Sequence, residues 1–146
     1  MEAAVANRIA LLSITDHNSD ANVLALLDYA QRYAGRLLVL PGVEVTTANG
    51  HLLAYFPPTK PEAVGNLLGV IGIDGKRGSR DSHTRKSMAD VIIEVERLGG
   101  ISIAAHIDRE KTGFETYEGY PNWKKDILCC SGLYGLEFDD ATHLAW

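Results

Sequence analysis

Three segments of this chain put a histidine or a carboxylate just past an apolar, strand-like run: ALLSITDHN at 10–18, LLVLPGVEVTTANGHLLAYF at 37–56 and GGISIAAHID at 99–108. In a β/α protein the ends of successive strands converge on one rim, so polar groups placed there can meet in space. His17, Glu44, His51 and His106 are therefore candidates for one shared site. Nitrogen and carboxylate donors without thiolate suit Zn²⁺, Mn²⁺ or Fe²⁺, and such a set usually serves hydrolysis of phosphate or amide bonds. Glu44 sharpens the point, because an unpaired carboxylate in an otherwise apolar strand is costly to bury unless a metal or cation meets it.

Around those runs, strands and helices alternate. Arg8–Thr15 reads as a buried strand, and Asn18-Ser19-Asp20 supplies turn and cap chemistry for a helix starting near residue 20. Val23, Leu26, Leu27, Ala30 and Ala34 give that helix one apolar face, with Gly35 placed to stop it. Leu37–Val45 is the next strand, interrupted by Pro41-Gly42, and Ala48-Asn49-Gly50 turns the chain into the strand His51–Phe56. Pro61 and Glu62 suit the first turn of a short helix through Leu68. The glycine-rich, basic stretch 72–86 has no periodicity and reads as a mobile loop. Ser87-Met88-Ala89-Asp90 is a capping-box start for a helix with Met88, Val91, Ile92, Val95 and Leu98 as its apolar stripe, ended by Gly99-Gly100. Ile101–Ala105 is the strand carrying His106. A loop with a short helix over 108–123 precedes a last strand, Leu133–Phe138.

A chain of 146 residues, 46% hydrophobic and 23% charged, is ordinarily one soluble domain. A net charge of −5 argues against a general nucleic-acid-binding surface. No apolar stretch is long enough for a signal peptide or a membrane span, so the expectation is a cytoplasmic protein. The adjacent Cys129 and Cys130 match no zinc-ribbon spacing and read as buried thiols.

Taken together, the segments resemble the PHP (polymerase and histidinol phosphatase) domain of metal-dependent phosphoesterases. ITDHN at 14–18 resembles that family's TDH motif, PGVEVTT at 41–47 its GxE motif, Gly50-His51-Leu52-Leu53 the histidine-bearing strand that follows, and AAHID at 104–108 its AHP motif. The wording around the GxE and AAH segments is most similar to PHP domains fused to SMC-like ATPases. The resemblance implies a (β/α)7 TIM-like barrel, here partial or distorted, formed by a single domain over 1–146 truncated at both ends. It implies divalent metal ions (Zn, Mn or Fe) held by His17, Glu44, His51 and His106, with Asp16 orienting a ligand from behind. A phosphate-ester substrate, nucleic acid among the options, is expected, with an ATPase domain or partner alongside.

Two departures qualify the match. The family opens with an HxH motif, and MEAAVANR holds no histidine; it closes with DxH, whereas Asp139-Asp140-Ala141-Thr142-His143 has DxxH spacing and reads as a solvated tail. Missing strands would also leave sheet edges exposed to self-association. A weak or inactive phosphoesterase is therefore one expectation, and a non-catalytic regulatory or interaction domain is the other. An amidohydrolase fits less well, because no lysine or second-histidine pattern is placed for it.

The single residues also have plainer readings. Asp16-His17 could be a simple turn, His51 an exposed hairpin residue and His106 a satisfied core histidine. His83 reads as solvated. Lys76, Arg77, Arg80, Arg85 and Lys86 read as a solvated basic loop or as a phosphate grip, and Arg109, three residues past His106, is the better-placed phosphate clamp.

Overall fold

The computed structural model describes residues 1–116 and 122–144, apart from the side chains of His143 and Leu144. Its frame is one five-stranded sheet in the order β1 (Leu11–Ile14), β2 (Leu38–Thr47), β3 (Gly50–Tyr55), β4 (Ile101–Ala104) and β5 (Leu133–Leu136). β1 runs parallel to β2 and β4 parallel to β5, while β2, β3 and β4 form an antiparallel centre. The sheet is open, with β1 and β5 as its edges, and closure into a barrel is not seen.

Helices cover one face of this sheet. Val43, Val45, Leu52, Ala54, Phe56 and Ala104 point to that face and pack against α3 (Ala63–Ile71) and α4 (Met88–Arg97) through Val64, Leu67, Leu68, Val91, Ile92 and Val95, all buried. Each of the larger of these side chains contributes about 1.5–3 kcal/mol by leaving water. α2 (Val23–Ala30) closes a smaller cluster of Ala30, Leu37 and Val39, to which α1 (Glu2–Ala6) adds Ala4 and Val5. α4 begins as its sequence predicts: Ser87 Oγ accepts from the Asp90 amide at 3.1 Å and donates to the Asp90 carboxylate at 2.7 Å.

The opposite face carries Leu11, Leu38, Leu40, Leu53, Tyr55, Ile101 and Ile103, an alternation fixed by the registers Leu11↔Leu38, Gly42↔Tyr55, Glu44↔Leu53 and Leu53↔Ile103. It holds no helix among the described residues, and Leu11 and Leu38 are 56% and 52% exposed. Arg8–Thr15 is thus corrected from a buried strand to a short edge strand with one open face. Its continuous apolar run says nothing about how many faces are covered.

Four further expectations change. β2 runs unbroken through Pro41-Gly42, because Pro41 sits at the last register position of β1 and its carbonyl still accepts from the Phe56 amide at 2.9 Å. A Cβ on Gly42 would lie 2.3 Å from Ser13 Oγ, so the glycine is what lets β1 approach. The stretch 72–86 is ordered by main-chain and side-chain bonds: Asp74 and His83 form a two-way backbone bridge, and Ser82 and Thr84 are buried. Cys129 is exposed and Cys130 half-buried just past α5 (Asn122–Leu128), so the pair is not a buried one. The short helix expected within 108–123 is represented by a 3₁₀ turn at Phe114–Thr116, and the stretch 117–121 of that segment lies outside the described residues.

Candidate metal centre

After β1 the chain leaves the ladder and then pairs with β2 once more. The Glu44 amide donates to the Asp16 carbonyl at 3.2 Å, and the Asn18 amide donates to the Glu44 carbonyl at 2.9 Å, which sets His17 directly beside Glu44. His51 lies on the neighbouring strand opposite Thr46, diagonal to Glu44 on the same face. Its position depends on Gly50, whose φ of 123° is closed to most side chains and whose Cβ would meet the Thr112 carbonyl at 2.6 Å. His106 follows β4 with φ 30° and is 5% exposed.

These elements bring all four donor residues together. Nδ1 of His51 lies 2.8 Å from Glu44 Oε1, Nε2 of His106 lies 3.2 Å from the same oxygen, and Nε2 of His17 lies 3.7 Å from Glu44 Oε2. The His17 and His51 rings meet edge to face at 5.3 Å between centroids, and the His51 and His106 rings at 5.0 Å. Burial alone would raise the Glu44 carboxyl, but the hydrogen bond from His51, the charge of His17 and the hydrogen bond from His106 together bring it down to about 2. Glu44 is therefore ionised at any ordinary pH, the state a metal ligand needs.

The donor set fits a divalent ion. One ligand atom from each of His17, Glu44 and His51 lies within 4.8 Å of the others. A tetrahedral ion with bonds near 2.1 Å holds its donors about 3.4 Å apart. The 2.8 Å and 3.7 Å separations on Glu44 bracket that spacing.

The remaining candidates fall around this centre. Asp16 lines the adjoining cleft of about 470 Å³ with Thr15, His17, Ser19, Asn22, Glu44 and Gly78, and its carboxylate accepts from the Asn22 side chain at 2.6 Å. The basic loop reaches the same place, since the Gly78 amide donates to the His17 carbonyl at 3.1 Å. Arg77 pairs with Asp20 at 3.5 Å and Arg85 with Asp74 at 2.6 Å, all on the surface. His83 is exposed, with Nδ1 3.1 Å from the Asp81 carbonyl. Arg109 grips Asp139 with two parallel bonds of 2.5 and 2.7 Å, which hold the Asp139 carboxyl below its usual range. A phosphate reaching Arg109 would have to displace that carboxylate. Asp139 and Asp140 are exposed, and the side chain of His143 lies outside the described residues.

Sequence reasoning missed the supporting roles of three residues, Asn18 among them although it was read as part of a turn. Buried Asn18 accepts from the Thr46 amide at 3.1 Å and donates to Ser82 at 2.8 Å, which ties the basic loop to the donor strand. Thr112 Oγ1 lies 3.4 Å from His106 Nδ1 while its carbonyl accepts from the His51 amide at 3.1 Å. Glu137 sits just past β5 and accepts from the His106 amide at 3.2 Å. The rule that found Glu44, a carboxylate at a strand end, applies equally to Glu137. Burial, with Glu137 and Glu44 adding their charge, pushes the Tyr55 hydroxyl above its ordinary value.

No protein-family profile matches the chain, and no curated protein sequence matches it. Solved structures do share its fold. A candidate metal-dependent phosphoesterase from Bifidobacterium adolescentis superposes with a TM-score of 0.65 at 18% identity, over 93% of this chain and 69% of its own. An amidohydrolase from Chromobacterium violaceum, solved with sulfate bound and no metal, superposes with a TM-score of 0.62 at 20% identity, over 92% and 68%. At such identities the likeness is one of fold: a mixed α/β architecture found in metal-dependent hydrolases.

Proposed function

We propose that this chain is a metal-dependent phosphoesterase of the PHP type, holding a divalent Zn, Mn or Fe ion on His17, Glu44, His51 and His106 and acting on phosphomonoesters or phosphodiesters, nucleic acids included. One observation carries the reading: nitrogen atoms of three histidines from three different strand ends converge on the two oxygens of Glu44. The names of the two structural neighbours, a candidate phosphoesterase and an amidohydrolase, support a hydrolytic role.

A bound ion supplies charge neutralisation and water activation at such a centre. The chain's own groups do the rest. Glu44 stays ionised and bridges the histidines, Ser19 and Asn22 offer hydrogen bonds to an ester in the cleft, and Lys76 and Arg80 stand on the loop whose Gly78 lines that cleft. With four donors the centre is suited to one ion, and the turnover we assign to this chain alone is weak. The cytoplasm is the compartment this reading assumes.

A second reading, an interaction module beside an ATPase or another copy of itself, draws on the open apolar sheet face and on β1 and β5, the edge strands among the described residues.

Metal content of the purified chain, measured by plasma mass spectrometry alongside a His17→Ala, Glu44→Ala double variant, tests the proposal. Close to one equivalent in the parent, lost in the variant, with EDTA-sensitive hydrolysis of a nitrophenyl phosphate ester, is expected. No metal in either protein after incubation with Mn²⁺ or Zn²⁺ would leave the scaffold without the chemistry and favour the interaction module.

A further inference from the structure

His106 differs from Glu44 and His51 in how its backbone amide is held. The amides of Glu44 and His51 donate to backbone carbonyls, of Asp16 and Thr112 respectively. The His106 amide instead donates to a side chain, Oε2 of Glu137, at 3.2 Å. His106 also has φ 30°, a region that L side chains rarely adopt and that persists only where neighbours determine it. From this geometry we infer that Glu137 is a positioning residue: its carboxylate, bonded to the His106 amide, holds the histidine in its left-handed turn and so aims Nε2 at Glu44. The inference rests on the metal-centre reading given above.

The bond belongs to a longer seam between the segments after β4 and β5. The Ile107 amide donates to the Glu137 carbonyl at 2.9 Å, and the Glu137 amide to the Ala104 carbonyl at 2.9 Å, so Glu137 is anchored on both sides of its own side chain. Asp108 accepts the amides of Asp139 and Asp140 at 2.8 and 3.0 Å, and Arg109 grips the Asp139 carboxylate. Main-chain bonds fix where Glu137 stands. Its carboxylate alone reaches the donor residue.

Such outer partners typically change metal affinity by about 10–100-fold when removed. Three variants separate reach from charge. Glu137→Gln keeps an oxygen acceptor at the same length, Glu137→Asp keeps the charge but shortens the reach, and Glu137→Ala removes both. Zn²⁺ affinity is read by competition calorimetry, and the His106 amide by its ¹H–¹⁵N shift and hydrogen exchange in metal-free protein.

We expect Glu137→Ala and Glu137→Asp each to weaken Zn²⁺ binding about tenfold or more and to speed exchange at the His106 amide, with Glu137→Gln staying near the parent in both. If Glu137→Ala does not fold, the Gln and Asp pair decides. Unchanged affinity and exchange in the Asp variant would overturn the inference, and so would equal losses in Gln and Asp, which would make the charge the active property. A parent protein that binds no Zn²⁺ defeats the metal-centre reading instead, while the amide measurement still decides what Glu137 does to His106.

Discussion

Oε1 of Glu44 receives Nδ1 of His51 at 2.8 Å, a contact between two residues on adjacent antiparallel strands that share one face of the sheet. That contact, with those of His17 and His106, holds the Glu44 carboxyl at about 2 instead of its ordinary 4.5. A carboxyl depressed on folding stabilises the protein above its unfolded value and loses that contribution as pH falls toward the folded one. The window is therefore pH 4.5 down to about 2. The full effect corresponds to about 3 kcal/mol. Urea unfolding of metal-free protein at two pH values, roughly 5 and 3, should show the parent losing about 2 kcal/mol more than Glu44→Gln. Equal losses in the two proteins would mean the histidines do not stabilise the ionised carboxylate.

Asn18 is buried and joins β2 to the basic loop through Thr46 and Ser82. Replacing it by alanine leaves the half-buried Thr46 amide and the buried Ser82 carbonyl short of partners, at a cost of about 2 kcal/mol. Denaturant midpoints measure this directly, and a change below about 0.5 kcal/mol would show the loop to be held by other contacts.

Gly50→Ala combines a disfavoured φ with a Cβ set against the Thr112 carbonyl. The expected loss is about 2 kcal/mol or more. Because His51 is the next residue, Zn²⁺ affinity should fall with it. A thermal midpoint equal to that of the parent would contradict the contact.

Ser87→Ala removes the N-cap of α4 and should cost about 1 kcal/mol, while Ser87→Asp should restore most of it. Thermal unfolding of the three proteins gives the comparison. Equivalent destabilisation by both substitutions would point away from capping.

The four converging residues of the candidate site were legible because each is a local event, an apolar run followed by a polar residue, and the same holds for the Ser87 cap and the stripe of α4. What escaped depends on the far side of the chain. The run Ile9–Ile14 looks the same whether one face or both are covered, and only the packing of the helices against the other side of the sheet settles that Leu11 is exposed. Stretch 72–86 lacks periodicity because its order comes from buried Ser82 and Thr84 hydroxyls bonding carbonyls and amides elsewhere. Pro41 looked like an interruption, yet its place at the end of the β1 register makes it harmless. Glu137 carries the same strand-end sign as Glu44, but Thr112 carries none, since it matters only through a histidine set across a turn.

The same spread along the chain sets the order of assembly. His17, Glu44, His51 and His106 meet only after the parallel pairing β1–β2 and the antiparallel pairings β2–β3 and β3–β4 have closed, and Glu137 reaches His106 later still in sequence. Pairings between distant segments are the slow part of folding, because loop entropy is lost before contacts repay it. A nascent chain released before residue 137 thus has every donor and an incomplete cradle. On the proposed metal centre, uptake of an ion would report on completion of the fold, and folding followed by metal capture should reach its plateau no sooner than folding followed by the sheet.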